Sequence, residues 1–210
     1  KKSTFLKGKR MTKTLYLMRH GETLFNQLGL IQGWCDSPLT TNGKQQAQAA
    51  RDYFHTHHIT FDELYCSTAE RCSDTLEIVS GRADYTRLKG LKEFNFGRME
   101  GKPEYLHPNR EPNQKGHGDF FLKYDGESET QVRERVSDTV FRLVSQSDDD
   151  ATILAVSHAG AIMSFFSALK LENHPELHFS NCCIFHYSIT DDTYDLIRII
   201  DPVSGQIYDK

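Results

Sequence analysis

Short apolar runs alternate along the chain with longer stretches in which apolar residues recur at helical spacing. The apolar runs are residues 14–18, 61–66, 152–156, 183–189 and 194–200. Their length and composition are typical of buried β-strands. The alternation predicts an α/β fold, a three-layer αβα sandwich with a mainly parallel central sheet and helices on both faces. The last two runs predict a hairpin that turns at Asp191 and Asp192.

Polar residues of the capping type mark the starts of the first two long helices. Thr41 or Asn42 is predicted to cap a helix that runs to about His57. Ser67 or Thr68 is predicted to cap the helix after the second strand. Both helices carry good helix formers or apolar residues at the spacing that packs one face on a sheet.

The middle of the chain contains one long segment without a clear period. Residues 87–126 are rich in Gly, Pro, Asn and aromatic residues, which is typical of a functional or flexible connection. Its aromatic side chains either wall a substrate pocket or belong to a local core. The segment ends at Ser128 and Gln131, whose spacing predicts a capping box and a further helix.

The charge of the chain indicates which kinds of binding partner are unfavourable. The net charge is −4, and five of the first ten residues are Lys or Arg with no acid among them, so the remainder carries −9. An acidic body argues against nucleic acid or an anionic membrane as the main partner. We interpret residues 1–10 as a tag or a disordered arm before Met11, and residues 11–210 as one domain.

The cysteines and the apolar stretches predict the compartment of the protein and the absence of a membrane span and a metal site. Five cysteines without a C-x-x-C pair suit free thiols in a reducing compartment, so we expect a cytoplasmic protein. Residues 159–169 are apolar but too short to span a membrane, and predict a buried helix. No His and Cys set has zinc-like spacing, so no metal is expected.

Three of the predicted parallel strands are followed by side chains that bind anions. Arg19 and His20 follow the first strand, Arg71 lies one turn into the helix after the second, and Ser157 and His158 end the third. Because parallel strands bring their carboxyl ends to one edge of a sheet, we expect these side chains to converge. Helix N-termini at the same edge also favour anions. The pattern predicts a phosphate-sized anion site.

These residues belong to a longer ordered set of motifs. In chain order the motifs are Arg19-His20-Gly21-Glu22-Thr23, Asn26, Gln32-Gly33, Asp36-Ser37-Pro38-Leu39-Thr40, Gly43, Cys66-Ser67-Thr68-Ala69-Glu70-Arg71, Glu93, Glu100-Gly101, Gly126-Glu127-Ser128 and Ser157-His158-Ala159-Gly160. From residue 14 to about residue 190 their order and spacing resemble the histidine phosphatase superfamily, in its phosphoglycerate-mutase-like branch. The resemblance implies transfer of the phosphoryl group of a small-molecule phosphate monoester.

The resemblance also implies roles for individual residues. His20 is the implied nucleophile, which passes through a phosphohistidine intermediate. Arg19, Arg71 and His158 are implied to hold the phosphoryl oxygens. Glu93 matches the general acid that protonates the leaving oxygen and later activates water. Fixed cations would supply the stabilising charge, so the implied reaction needs neither a metal nor a cofactor.

A second set of residues is implied to contact the phosphate or the substrate. It consists of Gly21, Glu22, Thr23, Asn26, Gln32, Gly33 and Ala159. Glu22 and Glu100 are also lesser candidates for the general acid.

Three functions are consistent with these motifs. Residues 102–125 contain Arg110 as their one Arg and no paired prolines, whereas the resembled mutases carry an Arg-rich and Pro-rich insertion there. We therefore favour a phosphatase over a phosphoglycerate mutase, which would use 2,3-bisphosphoglycerate as cofactor. An inactive phosphate-binding regulatory protein is less favoured because the nucleophile, the cations and the acid are all present. The physiological substrate and the oligomeric state, monomer or homodimer, stay open.

Overall fold

A seven-stranded sheet forms the centre of the computed structural model, which describes residues 12–107 and 116–210. The strands are β1 (Thr12–Arg19), β2 (Glu63–Ser67), β3 (Thr86–Leu88), β4 (Thr152–Ser157), β5 (Ile184–Thr190), β6 (Thr193–Asp201) and β7 (Gln206–Asp209). They lie in the order β3-β2-β4-β1-β5-β6-β7. The interpretation of residues 1–10 as an arm falls outside the described residues.

The sheet has a parallel half and an antiparallel half. β3, β2, β4 and β1 pair in parallel, whereas β5, β6 and β7 continue from β1 in antiparallel fashion. Five of the seven strands therefore point in the same direction, which confirms the predicted mainly parallel sheet. β5 and β6 form the predicted hairpin, in which Asp191 (φ 50°) and Asp192 (φ 58°) both have the positive φ of a tight turn.

Helices cover both faces of the sheet. They are α1 (Leu24–Leu28), α2 (Thr41–Thr56), α3 (Glu70–Ser80), α4 (Glu129–Gln146) and α5 (Ala159–Leu169). Side chains of β1 alternate between the faces: Leu15 and Leu17 join the core under α4 and α5, and Tyr16 and Met18 join the core under α2 and α3. Each such buried side chain contributes about 1.5–3 kcal/mol of transfer free energy. The predicted αβα sandwich is confirmed.

The capping predictions have mixed outcomes. The capping box at Ser128 and Gln131 is present. The cap of α2 is Thr40 rather than Thr41 or Asn42, because the Thr40 side chain accepts the Gly43 N–H. The prediction for α3 was wrong as well, since α3 begins after Ala69, which offers no side-chain cap.

The segment predicted as irregular contains β3 and short 3₁₀ helices at Lys89–Leu91, Gly97–Met99, Glu104–Leu106 and Phe120–Tyr124. Three of its aromatic side chains, Phe94, Phe96 and Phe121, are buried in the core that underlies α4 and α5. Arg110 lies outside the described residues. In the part of the chain that is described, no helix is both long and apolar enough to cross a bilayer.

Candidate active site

The carboxyl ends of β1 and β4 bring the two predicted site histidines together. The two strands are neighbours, and Arg19 pairs with Ser157 in their register. The next residue of each strand is a histidine, and the ring centroids of His20 and His158 are 5.2 Å apart. The predicted convergence of these side chains is therefore observed, because a parallel pair in register carries its final residues to one edge.

His20 has a defined tautomer and a neutral ring. Its Nδ1 lies 2.8 Å from the Gly21 carbonyl oxygen, which can only accept, so Nδ1 carries the proton. Nε2 is therefore unprotonated, and it accepts a 3.3 Å hydrogen bond from Arg71 Nε. Burial, followed by the charges of Arg71 and Arg19, holds the pKa of His20 well below its usual range. A buried imidazole with an unprotonated ring nitrogen has the chemistry of a nucleophile.

Arg71 lies at the centre of the site although it belongs to the first turn of α3. Its side chain is 1% exposed, and Nη1 forms a 2.8 Å ion pair with Asp36. Nη2 donates to the Gly33 carbonyl oxygen (2.8 Å) and to His158 Nδ1 (2.9 Å). One guanidinium thus contacts both histidines, which fixes its plane against the edge of the sheet.

His158 is fully buried and held from both sides of its ring. Because Arg71 can only donate to Nδ1, the ring proton is on Nε2, which donates to Ser67 Oγ at 2.9 Å. Burial, then the charges of Arg71 and His20, lower the pKa of His158 well below its usual range. The ring is therefore neutral, and an anion beside it would favour its protonated, charged form.

Arg19 approaches the site from the other side of His20. Its Nη1 donates to the carbonyl oxygen of Phe179 at 2.5 Å. Among the described residues, its buried Nε has no hydrogen-bond partner. Its charge is close enough to contribute to the low pKa of His20. Arg19 therefore offers a cationic donor at the same edge.

Glu93 reaches the site from the irregular segment. Its carboxylate accepts the backbone N–H of Phe94 (2.9 Å) and that of Gly160 near the start of α5 (3.0 Å). Glu93 is 8% exposed, and its Oε1 lies so close to Gly160 that a side chain there would collide with it. The carboxyl is thus attached to the helix that follows His158.

The two lesser candidates for the acid have other partners. Glu22 accepts the hydroxyl of Thr40 at 2.6 Å, which ties it to the start of α2. Glu100 accepts the backbone N–H groups of Trp34 (2.8 Å), Cys35 (2.5 Å) and Phe96 (3.1 Å). The carboxylates of Glu22 and Glu100 therefore stabilise loops. The carboxylate of Glu93, in contrast, is hydrogen-bonded to the helix that follows His158.

The predicted substrate-contact residues are distributed around Arg71 and His20. In the orientation that satisfies both ends of its amide, Gln32 donates to Thr23 Oγ1 (2.5 Å) and accepts from Arg71 Nη1 (3.2 Å). Thr23 and Asn26 form the capping box of α1. Gly33 supplies a carbonyl oxygen to Arg71, and Ala159 is the first residue of α5.

Gly21 allows a close approach that sets the position of His20. A Cβ added to Gly21 would lie 2.5 Å from the carbonyl oxygen of Gly43. The Gly21 N–H donates to Thr75 Oγ1 on α3 at 3.0 Å. The loop after β1 is therefore pressed against both α2 and α3, which leaves His20 little freedom.

Some groups of the site were not assigned a role from the sequence. Asp36 is the ion-pair partner of Arg71, although in the sequence it stands out only as part of a motif. Ser67 fixes the His158 tautomer, and Thr75 holds the Gly21 N–H. No local pattern points to these pairs, since each joins residues far apart in the chain. Within residues 12–107 and 116–210, no group of three or more His, Cys, Asp or Glu side chains is placed to hold a metal ion.

The family model of the histidine phosphatase superfamily (branch 1) matches residues 15–202. The chain belongs to this superfamily. The match includes every site residue described above, and it confirms the resemblance read from the motifs.

Relatives within the superfamily include both phosphatases and mutases. A broad-specificity phosphatase of Saccharomyces cerevisiae is 27% identical over 183 residues, which cover 84% of this chain and 77% of that protein. A probable phosphoglycerate mutase of Yersinia pestis is 31% identical over 182 residues, 81% of this chain and 82% of that protein. The chain spans less than half of the 2,3-bisphosphoglycerate-dependent mutases that it matches.

Among solved structures, a variant of phosphoserine phosphatase from Entamoeba histolytica in complex with phosphoserine has a TM-score of 0.71 and 27% identity. The match covers 89% of this chain and 96% of that one. The α/β fold is thus shared along nearly the full length of both proteins.

Proposed function

We propose that the protein is a metal-independent phosphatase that hydrolyses small phosphate monoesters through a phosphohistidine on His20. The observation that carries this proposal is the state of His20, which is buried, neutral and unprotonated at Nε2 between two arginines. We place the reaction in the cytoplasm, which five free cysteines support.

In the first half-reaction, His20 Nε2 attacks phosphorus in line with the ester oxygen. The Nε2–P bond forms while the P–O bond breaks, and the carboxyl of Glu93 gives its proton to the leaving oxygen. Attack requires His20 to release the hydrogen bond from Arg71 Nε, which at 3.3 Å is among the longest that Arg71 makes in this site. The freed Nε–H and Arg19 would then hold the phosphoryl oxygens, and His158 would join them once its N–H turns from Ser67 Oγ towards the phosphoryl group.

In the second half-reaction, the Glu93 carboxylate takes a proton from water. The water oxygen attacks phosphorus as the N–P bond breaks, which returns neutral His20 and inorganic phosphate. The same carboxyl thus acts first as an acid and then as a base.

A test compares wild type, His20→Ala and the control His57→Ala, whose histidine caps the far end of α2. Each is incubated in EDTA with 4-nitrophenyl phosphate, phosphoserine and a panel of sugar and nucleoside phosphates. Wild type and control should release phosphate equally, and mass spectrometry should find a phosphoryl group on the His20 peptide. Activity that persists in His20→Ala, or that EDTA abolishes, would refute the proposal.

The second candidate is a phosphoglycerate mutase, which the similarity to the Yersinia pestis protein favours. The same samples are therefore assayed for conversion of 3- to 2-phosphoglycerate with 2,3-bisphosphoglycerate present. Isomerisation that is faster than phosphate release would make the protein a mutase. Phosphate binding without either activity would support the regulatory alternative.

A further inference from the structure

Glu93 lies in a part of the chain that has no strand or long helix to hold it. The 3₁₀ helices Lys89–Leu91 and Gly97–Met99 flank it, and each is only three residues long. The two hydrogen bonds of its carboxylate, to Phe94 and Gly160, orient the side chain, and Trp34 Nε1 donates to its backbone carbonyl oxygen at 3.0 Å. An acid that must meet a leaving oxygen within hydrogen-bond distance requires a fixed backbone.

Arg135 of α4 supplies that support. Its Nη1 donates to the carbonyl oxygens of Gly90 (3.0 Å) and Lys92 (2.8 Å), and its Nη2 donates to that of Glu93 (3.1 Å). Nε and Nη2 also donate to the two oxygens of Glu127 at 2.8 and 2.7 Å. One planar guanidinium thus joins α4 to three carbonyl groups, the last of which belongs to Glu93 itself.

Glu127 completes the support on the other side of Glu93. Its Oε2 accepts the Asn95 N–H at 2.9 Å, and its own N–H donates to the Asn95 carbonyl oxygen at 2.8 Å. The side chains of Arg135 and Glu127 are 19% and 17% exposed, so water screens their ion pair only partly. The segment is therefore held on both sides of Glu93 by one ion pair.

The charge of Arg135 also reaches the reaction centre. Burial, Arg71 and His20 lower the pKa of His158, and Arg135 adds to the same effect. The guanidinium therefore lies within electrostatic range of the phosphoryl site as well as in contact with Glu93.

We propose that Arg135, through its bonds to Glu127 and to the Glu93 backbone, is the positioning residue of the general acid. This inference rests on the proposed function. Its consequence is that loss of Arg135 should impair the step in which Glu93 moves a proton and leave attack by His20 nearly intact. A substrate with a poor leaving group needs that proton, whereas 4-nitrophenolate leaves readily without it.

The experiment measures kcat/KM for glycerol phosphate and for 4-nitrophenyl phosphate. The variants are Arg135→Lys, Glu93→Gln and the control Arg133→Lys, which changes a neighbouring arginine that donates to Thr130 Oγ1. Arg135→Lys should lower kcat/KM for glycerol phosphate about 10- to 100-fold and that for 4-nitrophenyl phosphate less than about threefold. Equal losses on both substrates would overturn the inference, because a general structural role affects both alike.

A double-mutant cycle separates positioning from folding. If Arg135 acts through Glu93, the effect of Arg135→Lys should vanish in a Glu93→Gln background. Glu127→Gln, which keeps the Arg135 bonds to carbonyl groups, provides a milder variant should Arg135→Lys fail to fold, and it should show the same leaving-group dependence. An undiminished effect in the Glu93→Gln background would overturn the inference. If Glu93→Gln itself has no leaving-group dependence, the acid assignment of the proposed function fails as well.

Discussion

Substitution of Gly160 by alanine should impair the acid function that we propose for Glu93 more than it impairs the stability of the fold. Gly160 is the second residue of α5, and its N–H donates to Glu93 Oε2 at 3.0 Å. An added Cβ would lie 2.5 Å from Glu93 Oε1, whereas ordinary contact begins at 3.4 Å. The carboxylate must therefore retreat by roughly 1 Å, since the helix backbone cannot.

Gly160→Ala should reduce the activity much more than it reduces the stability. Alanine favours a helix over glycine by up to about 1 kcal/mol, and weakening the charged hydrogen bond costs roughly 1.5–3 kcal/mol. The net loss of about 0.5–3 kcal/mol should lower Tm by roughly 1–12 °C. A displacement of 1 Å in a reacting group, however, reduces a rate about 100-fold. The protein should stay folded while its activity falls.

The assay measures kcat/KM for glycerol phosphate together with thermal unfolding followed by circular dichroism. The matched control is Ser167→Ala, an exposed position on the same helix that gains helix propensity without meeting Glu93. The control should keep wild-type activity. A folded Gly160→Ala protein with wild-type kcat/KM would refute the argument that Glu93 acts from its place beside Gly160.

Three further outcomes follow from the partners of the site residues. Because burial keeps the pKa values of His20 and His158 below 6.5, the unfolded chain binds more protons below that pH. The free energy of unfolding should therefore fall as the pH drops below about 6.5, by at most roughly 1.4 kcal/mol per pH unit for each histidine. In His158→Gln, the free energy of unfolding measured in urea should depend less steeply on pH than in wild type. Ser67→Ala leaves the buried His158 Nε2–H without its acceptor and should cost about 1–3 kcal/mol in urea unfolding. Asp36→Asn removes the ion pair of the buried Arg71 and should destabilise the protein by about 1–3 kcal/mol, measured by urea unfolding in the absence of phosphate.

The position of the site could be predicted from the sequence because it depends on local rules. A short apolar run followed by Arg19 and His20, or by Ser157 and His158, identifies a strand and the residue at its carboxyl end. Parallel pairing then brings such residues to one edge without any knowledge of loops. Arg71 follows by the same reasoning, because it lies in the first turn of the next helix.

The partners of these residues could not be predicted, because they depend on where irregular segments pack. Asp36 lies 35 residues before Arg71, and Arg135 lies 42 residues after Glu93. The same limit explains the wrong cap for α3. Ser67 is of a residue type that often caps helices, but its hydroxyl accepts both the Ala69 N–H at 3.3 Å and the His158 ring N–H at 2.9 Å, and α3 begins only at Glu70. A hydroxyl forms only a few hydrogen bonds, and the tertiary structure determines which groups are its partners.

An acidic protein can present a cationic site only if its own carboxylates do not neutralise that site. Among the residues that the structure describes, Arg71 has one ionic partner, Asp36, and its Nη2 donates to the uncharged Gly33 carbonyl and His158 ring. The nearby carboxylates of Glu93 and Glu100 accept backbone N–H groups. Asp36 offsets the Arg71 charge from one side, whereas the bonds to neutral partners orient the guanidinium without offsetting its charge further, so the buried cation still gains from a bound anion. Hydrogen bonds to uncharged partners therefore orient Arg71 for a bound phosphoryl group, although the net charge of the chain is negative.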